Sequence, residues 1–111
     1  MSYLLQYVQR ATSQPRVDER IKLNLPEFDG GAHVRTYVEN TTERKFRGGI
    51  PEPHLKLRIT DCTDEINLEF AVDDAESREN SLYKINTLIA ALHRFRDALA
   101  AEAELYEQRE R

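Results

Sequence analysis

The sequence predicts an α+β fold: a two-layer sandwich in which a four-stranded antiparallel sheet carries a short N-terminal helix and a long C-terminal helix on one face. Three observations lead there. Four stretches between Val17 and Val72 alternate apolar and polar residues with a period of two, the pattern of strands covered on one side and wet on the other. From Ser81 to Arg111 the apolar residues recur every three or four positions instead, which stacks them on one helical face. Turn-forming residues punctuate the strand patterns, among them Pro26, Gly30 and Gly31. Residues 1–111 are therefore expected to form a single α+β domain, with a helix over about 75/81–110 that projects beyond the sheet.

Each element has its own signal. In Met1 to Ser13 the pairs Leu4/Val8, Tyr3/Tyr7 and Tyr7/Ala11 lie one helical turn apart, and Pro15 ends the run because the residue before proline is pushed out of helical geometry. Val17 to Leu25 sets Val17, Ile21, Leu23 and Leu25 against Asp18, Arg20, Lys22 and Asn24, with Glu19 on the apolar side near the open end. Phe28-Asp29-Gly30-Gly31 then makes a turn with freedom for positive φ. His33 to Asn40 alternates Val34, Thr36 and Val38 with His33, Arg35, Tyr37 and Glu39. Its weaker apolar content marks it as an expected edge strand.

The connection Thr41 to Pro53 has the least regular pattern, and connections of this length often carry function or move. After it, His54 to Thr60 places Leu55, Leu57 and Ile59 on one face and Lys56 and Arg58 on the other. Glu65 to Val72 turns Ile66, Leu68, Phe70 and Val72 inward and Glu65, Asn67 and Glu69 outward. Asp61-Cys62-Thr63-Asp64 joins the two as a hairpin, with bases on one strand expected to face acids on the next.

The C-terminal helix carries Leu82, Ile85, Leu88, Ile89, Leu92, Phe95, Leu99 and Tyr106 at helical spacing, uninterrupted by Gly or Pro. Asp74 and Ser81 are both candidate N-caps. Ile85, Leu92, Leu99 and Tyr106 fit one seam of a heptad, and Leu88 and Phe95 the other until Glu102 breaks it. Ile89, Ala91, Ala98 and Ala103 widen the stripe, so Leu82 to Phe95 is expected to pack on the sheet. A helix of about 30 residues is roughly 45 Å long, against about 17–24 Å for a strand. Leu99, Ala103, Leu105 and Tyr106 therefore stand in the expected overrun and are the candidate partner or dimer interface.

Composition narrows the function classes. The chain is 40% apolar and 32% charged with a net charge of −4, a whole-protein field that does not favour nucleic acid or anionic membrane. No apolar run approaches the roughly 20 residues of a membrane span and no basic-then-apolar leader opens the chain, so the expected location is the cytoplasm. Arg outnumbers Lys three to one, as in GC-rich bacterial or phage genomes.

No reaction signature stands out. Lone Cys62 permits no internal disulfide, and beside two acids it makes a poor thiolate. His33, His54 and His93 are scattered, with no paired-ligand spacing, so no metal, cofactor or catalytic residue is assigned. Asp61, Asp64, Asp73 and Asp74 suit turns and helix capping. The stretch with most chemical character is Arg44-Lys45-Phe46-Arg47-Gly48-Gly49, in which the cations could contact phosphates and Phe46 could stack on a base. It fits no phosphate-binding fingerprint.

The expectation is a non-enzymatic interaction or adaptor protein, acting as a homodimer or docked to a larger protein through its C-terminal helix. The alternative is a nucleic-acid-binding accessory protein using Arg44, Lys45, Phe46 and Arg47. A sheet followed by a long helix is an architecture shared with many small adaptor, chaperone and phage accessory proteins, and architecture alone carries no function.

Overall fold

The computed structural model describes residues 14–28, 30–42 and 53–111. The expected N-terminal helix and the basic stretch Arg44 to Arg47 lie outside these residues. The chain divides into two compact units, residues 1–73 and 74–111.

The first unit holds a four-stranded antiparallel sheet in the order β1-β2-β3-β4, with β1 Val17–Lys22, β2 His33–Val38, β3 Leu55–Asp61 and β4 Asp64–Leu68. Each strand pairs with its neighbour in sequence. That order corrects one expectation: β2 is interior, and the edges are β1 and β4. In a meander the first and last strands must be the edges, whatever the apolar content of those between.

Registers confirm the two-faced pattern. Val17, Ile21, Val34, Val38, Leu55, Leu57, Ile59, Ile66 and Leu68 share one face through pairs such as Val17↔Val38, Val34↔Ile59 and Ile59↔Ile66. Glu19 falls on this face opposite Thr36, at the exposed edge. The Thr36 hydroxyl is buried there without a hydrogen-bond partner, at a cost of about 1–3 kcal/mol.

Two strands, β1 and β4, end before their alternation does. β1 stops at Lys22, although Leu23 N–H still donates to the Ala32 carbonyl at 3.0 Å. Phe28 N–H then closes a turn onto the Leu25 carbonyl. Gly30 has φ 158°, and a Cβ there would sit 2.7 Å from the Asn24 amide nitrogen, so glycine suits this close approach. β4 ends at Leu68, leaving Phe70 and Val72 half-buried outside the ladder.

The β3–β4 hairpin is tighter than expected. Asp61 pairs with Asp64, which leaves Cys62 and Thr63 as a two-residue loop. Cys62 has φ 56°, at a position where such turns ordinarily take glycine. Glu39 N–H donates to the His54 carbonyl at 2.9 Å, and His54 N–H to the Glu39 carboxylate at 3.0 Å. Those two bonds close the long β2–β3 connection at its base.

The second unit is one helix, α1 Ala75–Glu110. Its 36 residues extend about 54 Å, more than twice the length of any strand. No helix among the described residues is long and apolar enough to cross a membrane. Among those residues Ala32 is the single buried hydrophobic side chain, at 8% exposure. All other apolar residues of sheet and helix are half-buried or exposed.

Candidate functional site

Local chemistry fixes where α1 begins. Asp74 is the N-cap, with extended backbone at φ −135°, ψ 171°, and its carboxylate accepts from Ser77 N–H at 2.7 Å. That bond satisfies one of the orphan donors of the first turn, which is why Asp74 rather than Ser81 starts the helix. The same backbone bond, with help from the Ser77 side chain, holds the Asp74 carboxyl below its ordinary value.

The far end is closed equally locally. Arg111 N–H donates to the Gln108 carbonyl at 3.3 Å, Arg111 approaches Glu107 at 3.9 Å, and Gln108 reaches Glu104 at 3.5 Å. The Arg109 guanidinium lies 5.2 Å from the centre of the Tyr106 ring, within cation–π range. Such surface contacts are individually small.

Between these ends the apolar stripe is open. Leu92 is 54% exposed, Phe95 65%, Leu99 57% and Tyr106 60%. Ile89, Leu105 and Leu82 are exposed as well, and Ala103 lies among them. The proposed interface residues Leu99, Ala103, Leu105 and Tyr106 all fall within the continuous helix, on its last third. Arg94 and Arg96, which flank Phe95, are also exposed, and Arg96 turns to its neighbour Asp97 at 3.2 Å.

The sheet's polar face carries a feature that strand-by-strand reading missed. The registers Arg20↔Arg35 and Arg35↔Arg58 set three arginines side by side across β1, β2 and β3. Asn67 continues the row on β4. The anticipated facing of bases by acids is therefore diagonal: Arg58 donates directly across to Asn67 at 2.8 Å, and reaches Glu65 at 3.5 Å. Arg35 takes Asp18 at 2.7 Å, again one pair along. The signal for this row was each strand's outward arginine; what was lacking was the register.

The histidines stay apart in role. His33 opens β2 and its Nδ1 is 2.6 Å from the Gly31 carbonyl, His54 precedes β3, and His93 sits mid-helix. Among the described residues no group of three or more His, Cys, Asp or Glu side chains is placed to hold a metal ion. Cys62 is exposed at its turn.

No family model, curated protein or solved structure matches this chain. Its surfaces must therefore be read from their own chemistry.

Proposed function

We propose that this is a small non-enzymatic protein that works by association, pairing with a second copy of itself through α1. The observation that supports the reading is the exposed stripe from Ile89 to Tyr106 on a fully formed helix. Covering a side chain such as Leu92 or Leu99 is worth roughly 1.5–3 kcal/mol when complete. A run of such residues along one face is the kind of surface that partners cover.

In this reading the last turns of α1 carry the interface. Leu99, Ala103 and Tyr106 meet the same residues of the second copy, with Leu105 about 100° round the helix from Tyr106 at the rim. A self-complementary patch of this kind forms the usual two-fold dimer. Ala103, on the same face as Leu99 and Tyr106, allows the two helices to approach closely.

Solution mass by light scattering tests the reading, on the full chain and on a chain ending at Ala98. A full-length dimer that becomes a monomer on truncation is expected. A full-length monomer, or a dimer that survives truncation unchanged, would overturn self-association through these turns.

A further inference from the structure

The row of arginines on the sheet is unusual on physical grounds. Like charges placed directly opposite on adjacent strands destabilise a sheet. Here Arg20, Arg35 and Arg58 are successive partners, on backbones that span about 10 Å across three strands. Flanking rows on the same face hold Asp18, Tyr37 and Lys56 on one side and Lys22, His33, Thr60 and Glu65 on the other.

Internal partners relieve only part of the repulsion. Asp18 takes Arg35, and Glu65 with Asn67 takes Arg58. Arg20, Lys22 and Lys56 are exposed and have no ion pair among the described residues. Within the ladders the face carries Arg20, Lys22, Arg35, Lys56 and Arg58 against the carboxylates of Asp18 and Glu65. Glu69, just beyond β4, adds a third acid. The face is thus locally basic on a chain whose net charge is −4.

We infer that this face binds single-stranded nucleic acid, with the arginine row on phosphates and Tyr37 as a platform for a base. A guanidinium presents a planar fork that matches phosphate oxygens, and three in a row offer successive contacts to a backbone lying across the strands. Tyr37 stands beside that row, between Asp18 and Lys56. Its ring can stack with an unpaired base, which neither a duplex nor a lipid headgroup offers. The strands fix the spacing of these groups before the ligand arrives. This surface is separate from the helical stripe and does not depend on self-association.

The test is fluorescence anisotropy of the full chain with a labelled single-stranded oligonucleotide of about 15 nucleotides, titrated with salt. The doubly substituted Arg20→Gln, Lys56→Gln chain removes exposed, unpaired cations, and circular dichroism checks that its fold is kept. Its plot of log affinity against log salt should be shallower by about 1.4, near 0.7 for each cation lost. Tyr37→Leu should weaken binding by about 10-fold.

Four results would each overturn the inference. The first is no binding at about 50 mM salt. The second is a salt slope unchanged by the double substitution. The third is affinity indifferent to Tyr37→Leu, or equal for duplex and single strand. The fourth is binding abolished by changing Arg44, Lys45 and Arg47 but untouched by the sheet substitutions, which would move it to that segment.

Discussion

In the sheet, Val17 lies opposite Val38 and Val38 opposite Leu55, so β1 and β2 are held by residues well removed in sequence. In α1 the partners are close neighbours: Asp74 caps Ser77, Arg111 returns to Gln108, and the ladder between them runs within the helix. A strand that loses its neighbour loses its hydrogen bonds. A helix of 36 residues rich in Ala, Leu, Glu and Arg keeps them, being well beyond the roughly 12–15 residues at which isolated helices become tenable. Order in α1 therefore does not require its apolar stripe to be covered.

That contrast can be broken most sharply by matched truncations of apolar side chains. Ile59→Ala, between Val34 and Ile66 in the sheet, should lower unfolding stability by roughly 2 kcal/mol. Leu99→Ala in α1 should leave the helical circular dichroism intact, since alanine is the better helix former, while weakening self-association by about 10-fold or more. Loss of helix content in the Leu99→Ala chain at protein concentrations below dimerisation would show that the helix is ordered by its contacts after all.

A smaller effect tests how local the helix start is. Because the folded Asp74 carboxyl titrates below its ordinary value of 3.8, it stabilises the first turn at pH values above that value. The contribution is lost as pH falls through the lower, folded value. The protection of the Ser77 amide relative to its intrinsic exchange rate should fall in that acid window, and Asp74→Ala should show the lower protection at neutral pH too. The sheet amides should not respond to the substitution.

Smallest is the turn. Cys62 holds φ 56°, so Cys62→Gly should raise the melting temperature, relieving about 1 kcal/mol of backbone strain. An unchanged or lower melting temperature would mean that the Cys62 side chain contributes more than its backbone costs.

Much of the architecture could be read directly from residue spacing. β3 and β4 were found to within a residue at the hairpin because Leu55, Leu57, Ile59, Ile66 and Leu68 alternate cleanly with charged neighbours. α1 was found for the same reason at its own period. Alternation overran the strands where apolar residues continue past the last pair, at Leu23 and Leu25 in β1 and at Phe70 and Val72 in β4. Periodicity marks which side a residue would face, and says nothing about whether a partner strand reaches that far.

The arginine row escaped detection through the same gap. Arg20, Arg35 and Arg58 are each visibly outward, but a shift of register would have separated them. Only the turn geometry and the paired ladders bring them abreast. The candidate helix surface, by contrast, needed no long-range information, and Leu99, Ala103, Leu105 and Tyr106 could be placed on one continuous helix from spacing alone.

The meander also governs how fast the protein assembles. Its tightest closure is the two-residue loop between Asp61 and Asp64, and its widest joins Val38 to Leu55. Hairpins close in about 1–10 μs, and a longer loop adds only logarithmically to the entropic barrier. The β3–β4 hairpin is thus expected to close first. Substitutions near Cys62 should then change the folding rate. The strand that contributes Arg20 is an edge of the sheet, held by β2 alone.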